Sequence, residues 1–80
     1  MSRKVGTPVR VTESDNGRPL SFYWPDRWNQ VSGIIDSWRE SGEWWDGAEE
    51  MDYYLVSAGN GCYELCKEAS GQWELSRIID

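Results

Sequence analysis

Apolar and polar residues alternate with a period of two in several short segments of the chain. These segments are residues 9–12, 20–24, 63–66 and 73–76, while residues 53–56 are rich in aromatic and β-branched side chains. A period of two places alternate side chains on opposite faces of a strand, and aromatic and β-branched residues favour strands. The pattern therefore predicts short β-strands, the last three of them between Asp52 and Ile79.

Turn-forming residues separate these segments. Asn16-Gly17 predicts a two-residue hairpin turn, because both residues tolerate positive φ. Trp24-Pro25-Asp26-Arg27 predicts a type I turn, and Gly59-Asn60-Gly61 and Ser70-Gly71 predict further reversals. The sequence therefore predicts an all-β fold, a small antiparallel meander of about six strands that forms a curved sheet or a partly closed barrel.

Residues 31–38 fit two structures. As a strand, the segment changes its apolar face around Gly33-Ile34-Ile35, which indicates a bulge or a sharp bend. As a helix, Val31, Ile34, Ile35 and Trp38 follow the i, i+3, i+4, i+7 spacing of one apolar face. We favour the strand, because β-branched residues fill the segment and turns flank it.

Length and composition exclude several classes of protein. Eighty residues make one domain, here residues 1–80, with residues 1–6 expected to be a flexible tail and residues 40–51 an acidic loop containing tryptophan. Eleven of the residues are aromatic, which favours a folded core over disorder. There is no histidine, so Ser-His-Asp, Cys-His and His-metal sites are excluded and we expect no enzymatic activity.

Cofactors, metals and membranes are not expected either. Cys62 and Cys66 would lie about 13 Å apart on a strand, too far for a disulfide, so we expect reduced thiols. The acidic residues do not follow the spacing of a calcium-binding loop. No stretch approaches the roughly 18–20 apolar residues of a membrane span, and the N-terminus has no apolar leader segment, so a cytoplasmic location is expected.

The charge is concentrated in one part of the chain. Fourteen acids and eight bases give a net charge of −6, and residues 40–52 contain six acids and no base. Tryptophan anchors many protein interfaces, and acidic residues around it would steer a basic partner. The candidate partner-binding residues are Trp38, Glu40, Glu43, Trp44, Trp45 and Asp46. The other interpretation is that Trp44 and Trp45 fold back and close one end of the core.

A second candidate function is the binding of single-stranded nucleic acid. Small barrels bind single strands through aromatic side chains that stack on bases and basic side chains that contact phosphates. The residues that would do so here are Arg10, Arg18, Tyr23, Trp24, Arg27 and Trp28. The acidic residues would repel the phosphates unless they lie on the opposite side of the domain, so unaided nucleic-acid binding is not our main expectation.

Several motifs, from about residue 8 to the end of the chain, resemble a bacterial family known as a domain of unknown function. The most specific of them is Trp38-Arg39-Glu40-Ser41-Gly42-Glu43-Trp44-Trp45. The others are Gly17-Arg18-Pro19, Phe22-Tyr23-Trp24, Asp52-Tyr53-Tyr54, Tyr63-Glu64-Leu65, Gly71-Gln72-Trp73-Glu74-Leu75 and Ile78-Ile79-Asp80.

The resemblance implies a context rather than a chemical mechanism. Such domains are similar to companions of bacterial translesion synthesis and SOS mutagenesis, found beside or fused to Y-family polymerase-like proteins. The family often has arginine where this chain has Asp26, Asn29, Gln30 and Cys66, which weakens an inherited nucleic-acid role. We therefore expect a protein-interaction module, with a polymerase-related protein as its partner.

Overall fold

The computed structural model describes residues 2–40 and 50–79, which contain eight antiparallel β-strands. The strands are β1 (Ser2–Pro8), β2 (Val11–Glu13), β3 (Pro19–Tyr23), β4 (Trp28–Gln30), β5 (Gly33–Glu40), β6 (Met51–Ala58), β7 (Gly61–Glu68) and β8 (Trp73–Ile79). The all-β antiparallel prediction is confirmed, with eight strands rather than about six. The described residues form neither a helix nor a closed barrel, and they include no helix able to span a membrane.

The strands form two sheets that enclose the core. The large sheet has the order β1-β8-β7-β6-β5, and the small sheet has the order β2-β3-β4. Phe22 of the small sheet is fully buried and meets the ring of Tyr63 edge-on, with 5.0 Å between the ring centroids. The large sheet contributes the other buried side chains of the core cluster, Val56, Ala58, Leu65, Trp73 and Leu75. Each sheet therefore has an inner face towards this core and an outer face away from it.

Strand β5 confirms the extended structure of residues 33–38 and the bulge predicted around Gly33-Ile34-Ile35. Ile34 lies opposite Val56, whereas Asp36 lies opposite Leu55, so Ile35 is the extra residue. Its side chain is 56% exposed, while Ile34 packs against the core. The bulge thus keeps Ile34 inside, and the helical alternative is wrong because pairing with β6 satisfies the backbone of the segment instead.

The turn at Asn16-Gly17 differs from the prediction. Only Gly17 has a positive φ, of 80°, and the loop contains three residues between Ser14 and Arg18. The Ser14 amide donates to the Arg18 carbonyl at 2.8 Å, and the Gly17 amide donates to the Ser14 carbonyl at 2.9 Å. This loop requires positive φ at one residue instead of two, and glycine adopts it without a steric penalty. The turn between β7 and β8 repeats the pattern, with Gly71 at a φ of 96°.

The turn between β3 and β4 is also not the type I turn that was predicted. The Trp24 amide donates to the Arg27 carbonyl at 2.8 Å, the reverse of a type I hydrogen bond, and the Trp24–Pro25 peptide is cis. The Asn29 side-chain amide donates to the carbonyls of both Trp24 and Arg27. Trp24 also packs against the core, so contacts outside the turn determine its shape.

The N-terminal segment is a strand in the described residues, whereas the sequence predicts a flexible tail over residues 1–6. Strand β1 pairs with β8, and Ser2 lies opposite Ile79. Val5 packs against the core, and a register shift between Lys4 and Thr7 surrounds Gly6. The physical reason is long-range: β8 offers an unpaired edge, and the valine gains burial by occupying it.

Candidate interaction surface

Trp38 lies in a row of side chains that crosses the outer face of the large sheet. The register places Trp38 opposite Tyr53, Tyr53 opposite Cys66, and Cys66 opposite Glu74. The neighbouring row, which contains Leu65 and Leu75, faces the core instead. Since side chains alternate between the two faces of a sheet, the row of Trp38 faces away from the core.

The Trp38 ring has two contacts that fix its orientation. It is stacked on the Tyr53 ring, with 5.6 Å between the centroids and 4° between the planes. Its Nε1 donates a hydrogen bond to Oε2 of Glu40 at 3.0 Å. Two of the predicted partner-binding residues, Trp38 and Glu40, are therefore in direct contact. A ring held in this way loses little conformational entropy on binding a partner.

The groups in the middle of the row are neutral at neutral pH. Burial, reinforced by the neighbouring Cys66 and Glu40, raises the pKa of Tyr53 to about 12. Burial is also the main cause that raises the pKa of the Cys66 thiol to about 11, and Glu74 adds to the effect. The Cys66 side chain is only 1% exposed, so this thiol is both protonated and shielded. The charge of the face therefore comes from its carboxylates and its few bases.

We call this surface, the outer face of the large sheet around Trp38 and Tyr53, the acidic aromatic face. The register assigns five acids and two bases to this face, namely Asp36, Glu40, Glu64, Glu68 and Glu74 against Lys4 and Arg77. Charge is also distributed unevenly between the two halves of the sequence. Residues 1–39 contain six bases and four acids, whereas residues 40–80 contain two bases and ten acids.

The other predicted partner-binding residues, Glu43, Trp44, Trp45 and Asp46, lie outside the described residues, as does most of the acidic loop expected over residues 40–51. Strand β5 ends at Glu40 and β6 begins at Met51. The segment between them is therefore attached at the edge of the acidic aromatic face. Its role in binding stays a prediction.

A second charged cluster joins the two sheets at Glu13. One carboxylate oxygen accepts from Lys67 Nζ at 2.6 Å, and the other accepts from Trp73 Nε1 at 3.1 Å. The Lys67 ammonium group also lies 5.6 Å from the centre of the Trp73 ring. The hydrogen bond with Lys67 is the main cause that lowers the pKa of Glu13, and the same bond raises the pKa of Lys67. This arrangement holds the small sheet on the large one.

The residues of the nucleic-acid alternative are only partly brought together. Arg10, Tyr23 and Trp28 form a row across the outer face of the small sheet, because the Tyr23 amide bonds to the Arg10 carbonyl and Tyr23 lies opposite Trp28. The two rings pack edge-to-face at 5.5 Å and are 39% and 50% exposed. Trp24, by contrast, packs against the core, and Arg18 follows the turn at the other end of β3. Arg27 lies in the β3–β4 turn and immediately precedes Trp28, the first residue of β4.

An open groove of about 340 Å³ lies beside this row. Arg10, Tyr23, Trp24, Pro8, Pro25 and Gln72 are among its lining residues. Aromatic and prolyl side chains make up half of its eight lining residues, and Arg10 adds one guanidinium group. Within residues 2–40 and 50–79 we find no group of three or more Cys, Asp or Glu side chains placed to hold a metal ion.

The family model described as a domain of unknown function (DUF6504) matches residues 1–80. The chain belongs to the DUF6504 family. No curated protein and no solved structure matches the chain. The candidate surfaces of the DUF6504 domain are therefore inferred from its own structure.

Sequence patterns missed three important residues of this DUF6504 domain. Tyr53 was assigned only to a strand, although its position one residue before Tyr54 places it on the face opposite to that of Tyr54. Glu13 and Lys67 had no local signal, because they are far apart in sequence and meet only when the two sheets pack. The pairing of Trp38 with Tyr53 required the register of β5 on β6, which depends on the Ile35 bulge.

Proposed function

We propose that the DUF6504 domain is a non-enzymatic protein-interaction module that binds a basic partner on its acidic aromatic face. The observation that carries the proposal is the stacked Trp38–Tyr53 pair, with Glu40 bound to the indole, on an acidic face of the large sheet. No described strand packs on this face, because the small sheet covers the other one. The face combines an aromatic anchor with negative charge.

This chemistry suits an arginine or lysine side chain of the partner. A guanidinium group over an indole ring gains about 0.5–2 kcal/mol, depending on how far it is desolvated. Glu40 uses Oε2 to hold the indole, and its Oε1 has no hydrogen bond to any described residue. We propose that this oxygen accepts a hydrogen bond from the partner's cation. The surrounding carboxylates would speed the encounter with a basic surface.

The biological setting that we propose is bacterial translesion synthesis in the cytoplasm, with a Y-family polymerase-like protein as partner. This part rests on the resemblance of the sequence motifs, in particular the segment from Trp38 to Trp45. Five of its eight residues, from Ser41 to Trp45, follow directly after β5 in the sequence. The same partner would therefore contact the face and the segment together.

The test is a binding titration between the purified domain and a polymerase-like protein encoded near it. Trp38→Ala and Glu40→Lys should each weaken binding at least about fivefold, the effect of losing 1 kcal/mol. Ile35→Ala is the matched control, because this exposed apolar side chain lies on the same strand outside the stacked pair. A Trp44→Ala/Trp45→Ala variant extends the test to the acidic segment. Unchanged binding by folded Trp38→Ala protein would contradict the proposal.

Single-stranded nucleic-acid binding, the alternative expectation, has less support. The row of Arg10, Tyr23 and Trp28 lies on the side of the core opposite to the acidic aromatic face, which removes one objection to it. However, only Arg10 and Arg27 accompany the exposed rings, and the whole domain carries a net charge of −6. Titration with oligothymidylate at low salt tests this alternative, because the electrostatic attraction is then largest. Failure to bind there would contradict it.

A further inference from the structure

The outer face of the small sheet presents two large aromatic side chains to solvent. Tyr23 is 39% exposed and Trp28 is 50% exposed, and both stand on adjacent strands with their rings in contact. Neither the Tyr23 hydroxyl nor the Trp28 indole nitrogen has a hydrogen bond to a described residue. Aromatic side chains that combine an apolar ring with a polar group able to form a hydrogen bond are typical of recognition surfaces. The proposed docking of a basic partner does not use them, because that partner binds the large sheet.

We propose that these two rings and the adjoining groove bind a proline-rich peptide in the polyproline II conformation, with an acidic residue at one end. A polyproline II helix has no internal hydrogen bonds, so its carbonyl groups are free to accept from surface donors such as tyrosine and tryptophan. Such peptides dock in aromatic-lined grooves and lose little entropy, since their conformation is already formed.

The groove offers this ligand open space and aromatic and prolyl side chains. Its volume is about 340 Å³, and Tyr23 belongs both to its lining and to the exposed aromatic pair. Trp24 and Pro25 form another part of the wall, and Trp24 is anchored against the core. The aromatic rings of Trp24, Tyr23 and Trp28 therefore extend from the groove to the outer face of the small sheet.

The positive charge of Arg10 is the reason for placing an acidic residue in the ligand. Arg10 lines the groove and is exposed, whereas the ion pairs among the described residues involve only Arg39 and Lys67 as cations. One carboxylate on the peptide would pair with this guanidinium group and fix the direction in which the peptide lies. Such a pair adds specificity more than affinity, as it is exposed to solvent.

Electrostatics favour the peptide over a nucleic acid on the same surface. The affinity of proteins for nucleic acids depends on the number of phosphates neutralised, and here only Arg10 and Arg27 accompany the rings. The net charge of −6 repels a polyanion as a whole. A largely neutral peptide with one carboxylate needs one arginine and experiences much weaker repulsion than a polyanion does.

The test is an NMR titration of the isotope-labelled domain that follows the indole N–H signals of the tryptophans. The probes are two synthetic oligoproline peptides, one with glutamate at its N-terminal end and one with glutamate at its C-terminal end. We expect saturable shifts of the Trp28 indole signal with at least one of them. A glycine-serine peptide with the same glutamate is the control ligand, since it does not hold the polyproline II conformation, and should bind at least about fivefold more weakly.

Three variants locate the binding site. Trp28→Ala should weaken binding at least about fivefold. Arg10→Gln should weaken binding of the glutamate peptide but leave a glutamine version unchanged. Ile35→Ala, an exposed apolar residue on the large sheet, should bind as the wild type does. All three side chains are exposed, and circular dichroism confirms folding.

Several outcomes would overturn the inference, and they differ from a failure of the basic-partner proposal. No saturable shift with either oligoproline, or equal affinity for the glycine-serine peptide, would exclude polyproline II recognition. Shifts of the Trp38 indole alone would place the ligand on the acidic aromatic face. Shifts of the Trp28 indole with oligothymidylate but not with oligoproline would assign the surface to nucleic acid.

Discussion

The strongest stability prediction concerns the carboxylate of Glu13, which connects the two sheets. Replacing Glu13 with alanine removes the ion pair with Lys67 and leaves the indole N–H of Trp73 without its acceptor. Trp73 is only 4% exposed, so water has limited access to that donor. An unsatisfied buried donor costs about 1–3 kcal/mol, and a partly exposed ion pair contributes about 0.2–1 kcal/mol. We therefore expect Glu13→Ala to lower the free energy of unfolding by about 2 kcal/mol.

Two control variants separate the contributions. Glu13→Gln retains an oxygen that can accept from Trp73 Nε1 but cannot form the ion pair with Lys67. Lys67→Met keeps the apolar stem of the side chain and leaves the bond between Glu13 and Trp73 in place. Each should lower the free energy of unfolding by about 0.5 kcal/mol, the usual contribution of a partly exposed ion pair.

Urea unfolding followed by circular dichroism measures these differences as shifts of the midpoint at constant m-value. The order of the variants is the decisive result. If Glu13→Ala unfolds within about 0.5 kcal/mol of the wild type, or if Glu13→Gln is as damaging as Glu13→Ala, the importance assigned to the bond with Trp73 is wrong.

Acid should bring the wild type towards the stability of Glu13→Gln and so narrow its difference from Glu13→Ala. The bonds with Lys67 and Trp73 lower the pKa of Glu13 in the folded state below its ordinary value of 4.5. A lowered folded pKa means that this carboxylate stabilises the fold above pH 4.5, and that its contribution disappears as the pH falls through the lower, folded value. Below that pH the wild type should keep only the bond from Trp73 Nε1 to a neutral oxygen, as Glu13→Gln does, and should stay more stable than Glu13→Ala. A difference that stays constant down to full protonation would contradict the assignment.

Two further predictions concern single residues. A maleimide at pH 8 should modify Cys62 in the folded protein and leave Cys66 unmodified, because Cys66 is 1% exposed and its pKa is raised to about 11; mass spectrometry of the labelled protein shows whether both thiols react. Gly71→Ala should lower the free energy of unfolding by about 1 kcal/mol, since Gly71 has a φ of 96°. Gly33→Ala, where φ is not positive and the new methyl would meet Ser57 Oγ only at 3.7 Å, is its control and should change stability much less in the same urea assay.

Local patterns predicted much of the fold, because β-hairpins are built from neighbours in sequence. The aromatic and β-branched segment 53–56 corresponds to β6, and the alternating segments 63–66 and 73–76 correspond to β7 and β8. The change of apolar face around Ile35 corresponds to a real bulge, since a residue that breaks the period of two must be accommodated by the pairing. Turn geometry was less predictable, because Trp24 and Asn29 make contacts that no turn motif contains.

The remaining features depend on contacts between distant parts of the chain. The division into two sheets follows from Phe22 packing on the large sheet, and the strand character of residues 2–8 follows from pairing with β8. Of the candidate surface, Trp38 and Glu40 were named from composition and spacing, and the structure brings them into contact. Their partner Tyr53 was not named as a site residue, because only the register shows which of two adjacent tyrosines shares their face.

The pairing of β1 with β8 also has a consequence for the order in which the chain assembles. This ladder joins Ser2 to Ile79 and so encloses nearly the whole chain, whereas the ladders between β6, β7 and β8 close short loops. Closing a long loop costs more entropy and slows folding, so we expect β1 to dock last. Until it docks, the edge of β8 is open to strand exchange with a second molecule. A circular permutant that joins the two ends and opens the Gly59–Asn60 turn would make this ladder local, and the ladder between β6 and β7 would become the one with the longest loop.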